Sequence, residues 1–259
     1  MEWSRRSFLK ISAVSLLGLG IKPAFKAFAA GGQTLYLPDP NALTAKRWAL
    51  IIDSKKCREA GDDCKDCIAA CNRAHNVPEI PNSRQEIKWI WKEPYENAFA
   101  MQDPEYIVEE ELRSKPLILL CNHCNNPPCV RVCPTKATWK RKDGIVMMDY
   151  HRCIGCRFCM AACPYGSRSF NWIDPVSYVK NPNLEYPTRT KGVVEKCDFC
   201  AERLDQGLRP ACVEACKKNA LIFGDVENPE SEVREILRTR FTIRRKPELG
   251  TLPQVYYLV

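Results

Sequence analysis

Sixteen cysteines fall into four groups of four along 259 residues, and this arrangement constrains the chain more than any other feature of it. Group one is Cys57, Cys64, Cys67 and Cys71. Group two is Cys121, Cys124, Cys129 and Cys133, group three Cys153, Cys156, Cys159 and Cys163, and group four Cys197, Cys200, Cys212 and Cys216. Each group ends in C-x3-C, so the chain carries an internal repeat. An ordinary globular protein has no use for so many thiols, and covalent or metal chemistry must account for them.

Three chemistries compete. Disulfides are common in exported proteins, but eight bridges have no reason to repeat one spacing four times. Structural zinc favours paired C-x2-C knuckles over triplets that end in C-x3-C-P. Group three reads C-x2-C-x2-C-x3-C-P, the bacterial ferredoxin run, in which three close thiolates grip one [4Fe-4S] cluster and the fourth reaches another. Groups two and four are the same device with a longer spacer before the third cysteine. Group one departs from it, with six residues between Cys57 and Cys64, which puts the geometry of its cluster in question. Gly155, Ala161 and Ala162 are expected to leave room for the cofactor, and His75, His123 and His151 to donate hydrogen bonds near clusters rather than to ligate iron.

Short strands are expected around the groups, at 47–53, 144–149, 192–195 and 220–224, from their length and apolar runs. One helical turn is expected to carry the last cysteine of each group, over 68–72, 130–133, 160–163 and 213–216, with Pro134 and Pro164 stopping two of them. Strand, cysteine loop, short turn and strand make an α+β fold of two nested, bacterial-ferredoxin-like two-cluster modules. Residues 86–92 alternate polar and apolar and read as a half-exposed strand, whose tryptophans either pack on the cluster domain or dock a partner. Residues 238–246 concentrate cations and read as a solvated strand face or a docking patch.

The N-terminus has paired Arg5-Arg6, an apolar stretch over 11–21 and Ala27-Phe28-Ala29, the pattern of a twin-arginine export signal cleaved after Ala29. An uncleaved amphipathic helix is the alternative. The stretch is too short to span a bilayer, which takes about 20 residues, so the mature chain is expected to be peripheral to a membrane. Removing residues 1–29 takes the formal charge from +8 to +4. Four cubanes at about −2 each then bring the loaded protein to roughly −4, so basicity is no sign of nucleic-acid binding. The expected divisions are 1–29 signal, 30–120 first group with an inserted segment, 121–165 inner two-cluster module, 166–224 fourth group completing the outer module, and 225–259 C-terminal extension.

Four such motifs after an export signal resemble the four-cluster iron–sulfur subunits of bacterial and archaeal respiratory complexes, over about Trp48 to Gly224. The runs KWIWKEPYE, HCNNPPCVRVCPTKAT, GIVMMDYHRCIGCRFCMAACPYGSRSFNW and LGTLPQVYYLV are similar, more narrowly, to exported ferredoxin subunits of the membrane complexes of sulfate-reducing and sulfur-oxidising organisms. The resemblance implies single-electron relay through four [4Fe-4S] clusters and no catalysis by this chain. It also implies a quinone-binding integral membrane subunit and a multihaem cytochrome c as partners, with a link to sulfite or sulfur metabolism. The other reading is the electron-transfer subunit of a molybdopterin oxidoreductase. The ferredoxin crossing rule assigns Cys121, Cys124 and Cys129 with Cys163, and Cys153, Cys156 and Cys159 with Cys133. It likewise assigns Cys57, Cys64 and Cys67 with Cys216, and Cys197, Cys200 and Cys212 with Cys71.

Overall fold

The computed structural model describes residues 39–100 and 115–259, all within the compact unit Asp39–Val259. The export-signal reading lies outside the described residues. In chain order the elements are β1 (Trp48–Asp53), α1 (Ser54–Glu59), α2 (Asp66–Ala74), β2 (Ile90–Pro94), α3 (Tyr95–Ala98), β3 (Pro116–Leu120), α4 (Pro128–Arg131), β4 (Thr138–Lys140) and β5 (Val146–Met148). They continue as α5 (Phe158–Ala161), β6 (Ser169–Phe170), β7 (Val194–Glu195), α6 (Ala201–Leu204), α7 (Ala211–Glu214), β8 (Leu221–Asp225), α8 (Glu232–Thr239), β9 (Thr242–Ile243) and β10 (Val255–Leu258).

Six consecutive buried residues make β1 a central strand, as its continuous apolar run requires. It pairs antiparallel with β8 and parallel with β10, and β9 closes the sheet as β8-β1-β10-β9. Three two-stranded ribbons, β2-β3, β4-β5 and β6-β7, lie between successive cysteine groups. The strand before group one thus pairs with the strand after group four, and the β4-β5 ribbon joins groups two and three. This is the α+β, ferredoxin-like architecture, one module inside another.

Local chemistry sets the element ends. Asp53 accepts the Lys56 amide at 3.0 Å and starts α1 directly after the strand. Pro128 occupies the first turn of α4, where its missing N–H costs nothing. Ser231 caps α8, with Glu232 and Glu235 in its first turn and Arg238 near its end, as the helix dipole favours. That helix claims the start of the cationic stretch 238–246, so the expected strand shrinks to β9. Arg245 in the same stretch is not solvated. It is 5% exposed, donates from Nε to the Ala98 carbonyl at 3.0 Å and lies over the Tyr165 ring.

The tryptophans of 86–92 are buried, Trp89 at 1% and Trp91 at 9%, and the packing reading applies. Trp89 stacks on His75 and donates to Glu195. The alternation stops at Ile90, where β2 begins and both Ile90 and Trp91 face the core. The thiols themselves belong to this core: Cys67, Cys71, Cys197 and Cys212 sit in its main cluster, and Cys129 and Cys159 in a smaller one around Val146 and Val194.

Candidate metal centres

Four cavities are each lined by four cysteines. Cys57, Cys64, Cys67 and Cys216 share one; Cys71, Cys197, Cys200 and Cys212 a second. Cys121, Cys124, Cys129 and Cys163 share a third; Cys133, Cys153, Cys156 and Cys159 the fourth. In every cavity three thiols come from one group and one from another, and all sixteen are used.

The helical turns produce this split. Each begins one residue before the third cysteine, so Cys67, Cys129, Cys159 and Cys212 lie in α2, α4, α5 and α7, but outside group one the helix is a single turn and Cys133, Cys163 and Cys216 lie two residues beyond its end. The expectation that each turn carries the last cysteine therefore holds only for Cys71, in the longer α2. A single turn rises about 5 Å, and ending it before the last cysteine lets that thiol face away from its neighbours. Pro134 and Pro164 follow directly and prevent any extension. A left-handed residue sits three positions past the last cysteine in each of these groups: Lys136 (φ 55), Gly166 (φ 64) and Asn219 (φ 50). Their amides return to the carbonyls of Cys133, Cys163 and Cys216.

The long spacer of group one folds back on itself. Gly61, at φ 87, receives the turn that follows α1, and the Cys64 amide bonds the Gly61 carbonyl at 3.1 Å, which returns Cys64 to the side of Cys57. The extra residues are absorbed in a surface turn. Gly155 serves a purpose other than the one expected. A Cβ there would stand 2.4 Å from the Gly192 carbonyl, so the residue makes room for backbone, at φ 69, rather than for the cofactor.

The cavities suit an anionic metal cluster. His123 (φ 40), Arg157 (φ 63) and Phe199 (φ 58) adjoin the second cysteines of groups two, three and four, and left-handed residues of this kind turn successive N–H groups inward. Amide donors reach sulfur directly: Phe199 to Cys197 at 3.5 Å, Ala211 to Cys200 at 3.4 Å and Ala220 to Cys216 at 3.3 Å. At Cys133, where burial pushes the thiol up, amides of Thr138, Ala137 and Thr135 outweigh it and leave the pKa below the ordinary value. The Asn122 side-chain amide lines the Cys121 cavity and has no partner among the described residues, a buried donor that a bridging sulfide would satisfy. Sixteen thiols in four sets of four, with inward donors, fit four [4Fe-4S] clusters.

The interactions between thiols order the cavities into a row. Cys67 of the first lies near Cys212 of the second, Cys197 of the second near Cys121 of the third, and Cys159 of the fourth near Cys129 of the third. Burial is greatest inside the row. All four thiols of the second cavity are buried, whereas the first has three half-buried thiols and the fourth has Cys156 exposed.

Of the histidines, His75 sits beside a thiol, its Nδ1 3.0 Å from the Cys71 carbonyl and 3.6 Å from its sulfur. Burial lowers its pKa, but Asp198 and Glu202, the latter 2.8 Å from Nε2, raise it further, and the net shift is upward. His123 accepts the Val146 amide at Nδ1 and stacks on Phe199, its buried Nε2 left without a partner among the described residues. His151 differs from the expectation: it is exposed, on the rim of a cavity that contains no cysteine. Sequence reasoning missed Asn122 and Arg168, which line the third cavity, and Lys196, which donates to the carbonyl of its wall residue Val146. Asn122 had a signal, an amide between two ligands of one loop; the two cations read as surface residues.

A family model described as a 4Fe-4S dicluster domain matches residues 116–179 and 182–226. The chain is 40% identical to the Hdr-like menaquinol oxidoreductase iron-sulfur subunit 1 of Archaeoglobus fulgidus, over 98% of this chain and 97% of that one. It belongs to the family of iron–sulfur electron-transfer subunits. It is 38% identical to the menaquinone reductase iron-sulfur cluster-binding subunit of Nitratidesulfovibrio vulgaris, over 82% of this chain and 88% of that protein. It is also 34% identical to a tetrathionate reductase subunit of Salmonella typhimurium, over 100% of this chain and 89% of that one. As an iron–sulfur electron-transfer subunit it carries four [4Fe-4S] clusters and is not the catalytic subunit.

Proposed function

We propose that the four cavities are the four cluster sites, with the ligand sets given by the cysteines that line them, and that electrons pass singly along the row. What carries this reading is the crossing itself: each group sends one thiol to a neighbouring cavity, so the first and second sites, and the third and fourth, are linked through short stretches of chain, while Cys197 lies near Cys121 between the second and third. Each cluster changes oxidation state by one electron. The chain's own residues hold the clusters at fixed spacing, exclude water from the second and third, and leave the first and fourth near the surface for exchange.

The two ends differ in chemistry. Around the fourth, Ile154 and Phe158 are 67% and 60% exposed beside Cys156. Around the first stand Lys217 and Lys218. The apolar end suits a quinone-binding integral membrane subunit, and the cationic end suits an acidic redox partner such as a multihaem cytochrome c. The full-length similarity to a menaquinol oxidoreductase subunit supports a place of the DsrO type, the exported ferredoxin subunit of the DsrMKJOP complex, on the outer face of the cytoplasmic membrane and linked to sulfite or sulfur metabolism. On this reading residues 1–29 are a twin-arginine signal, 121–165 the inner module, and 30–120 with 166–224 the outer one, followed by 225–259.

A second reading, the electron-transfer subunit of a molybdopterin oxidoreductase, is favoured by the match to a tetrathionate reductase subunit over the whole chain. Solubilising the native membrane and identifying what copurifies decides between them. A multihaem cytochrome and a quinone-site anchor are expected; a large molybdopterin subunit would establish the second reading instead.

A further inference from the structure

Among the described residues, two buried cations near the third cavity pair with no acid. Arg168 is 5% exposed and its guanidinium lines the cavity of Cys121, Cys124, Cys129 and Cys163. It donates to Thr138 Oγ1 at 2.8 Å and to the Met148 sulfur at 3.7 Å, and no carboxylate among the described residues pairs with it. Lys196, 1% exposed, donates to the carbonyls of Val146 and Cys197, and again to no acid. Val146 is a wall of the same cavity and Cys197 of the second, so Lys196 bonds the backbone between the two, while it lines a separate cavity that holds no cysteine. Arg189 marks the contrast, being equally buried but paired with Glu195.

Removing an unpaired cation from water costs several kcal/mol, so a counter-charge must stand nearby. The thiols close to Arg168 are Cys129 and Cys121 of the third cavity and Cys159 of the fourth. The second cavity carries the opposite field. Asp198 is 6% exposed, lies between the ligands Cys197 and Cys200 in the chain, and accepts from the Tyr186 hydroxyl at 2.9 Å and the Cys200 amide at 2.9 Å.

We propose that Arg168 is a potential-setting residue that makes the Cys121–Cys124–Cys129–Cys163 centre easier to reduce than its interior neighbour, which Asp198 holds in the harder position. Reduction adds one electron to the cluster, with no bond or proton changed, so a fixed positive charge at its wall favours the reduced form and a carboxylate opposes it. Electrons crossing the chain therefore climb at the second centre and rest at the third. The inference rests on the ligand grouping proposed above, whose failure would show separately in a Cys216 substitution that involves neither cation.

The test is a redox titration of the whole reconstituted chain, followed by electron paramagnetic resonance, with iron counted in each sample. Arg168→Gln keeps a donor for Thr138 and loses the charge. The largest shift among the four one-electron steps should be downward by at least tenfold in its equilibrium constant, which is 59 mV for a single electron, with a smaller downward shift of one other step because Cys159 of the fourth cavity is also close. Arg168→Lys should restore it to within a factor of about three, and iron content should stay level in both. An unmoved set of steps, an equal shift in the Gln and Lys variants, or loss of iron in both would overturn the proposal. Should the Gln variant not fold, Lys196→Met carries the test: a downward shift of the two interior steps together supports the electrostatic field, and no shift refutes it.

Discussion

Arg189 and Glu195 are paired at 2.7 Å with neither side chain exposed to any degree. The carboxylate also accepts from Trp89 Nε1 at 2.9 Å and Asn171 Nδ2 at 2.6 Å, while the guanidinium donates to the carbonyls of His75 and Asn76. The pair therefore ties the segment after group one to β7, just before group four. Removing one partner of a buried pair strands the other charge, at about 3–5 kcal/mol. Glu195→Ala should lose its visible absorbance at distinctly lower urea than the parent protein, with the Cys71 and Cys197 centre the first affected. An unchanged urea profile would show that the pair is dispensable.

The anaerobically reconstituted mature chain should bind about sixteen irons, four in each of four cubanes. A value near twelve would identify an incomplete Cys57 centre, despite the turn at Gly61, and Cys57 would be the ligand to question.

Cys216→Ser should perturb the centre lined by Cys57, Cys64 and Cys67 more than the one lined by its own neighbours Cys197, Cys200 and Cys212. Iron content should fall by about four or less, and the lost spectroscopic component should match that of a Cys64 variant. If it matches a Cys200 variant instead, the crossing assignment fails while electron transfer stands.

Gly155→Ala asks for a Cβ 2.4 Å from the Gly192 carbonyl at a residue held at φ 69, and the obstacle is backbone that cannot rotate aside. The loop bearing Cys153 and Cys156 should be displaced, with loss of up to about four irons from the fourth centre. Retention of all four spectroscopic components would show that the loop can yield. Gly166→Ala, with nothing within 4 Å of its added carbon, is the matched control for positive φ alone.

No helix among the described residues is long and apolar enough to cross a membrane. Carbonate or chaotrope washing of native membranes should release the chain, because its attachment would run through partner subunits. Retention with the lipid would mean an anchor in the chain itself.

The cysteine spacing made the four groups legible, and the expectation of which thiols meet came from the ferredoxin crossing rule rather than from spacing alone. β1 and β8 were legible because continuous apolar runs bounded by polar residues leave little choice. The helix starts were displaced by two residues, since one turn carries too little periodicity to locate its ends. Arg245, Arg168 and Lys196 were illegible because a cation's burial depends on what distant segments place around it. For Arg168 that surrounding is Thr138 and Met148, which belong to a ribbon some 20 to 30 positions away.

β10 lies between β1 and β9, in parallel register with Leu50 opposite Val255. Leu50 and Phe223, on β1 and its other neighbour β8, are walls of the second cavity. The first cavity joins Cys57, Cys64 and Cys67 to Cys216, so its set of thiols closes only once group four has been made, and the three early thiols stand without their fourth partner until then.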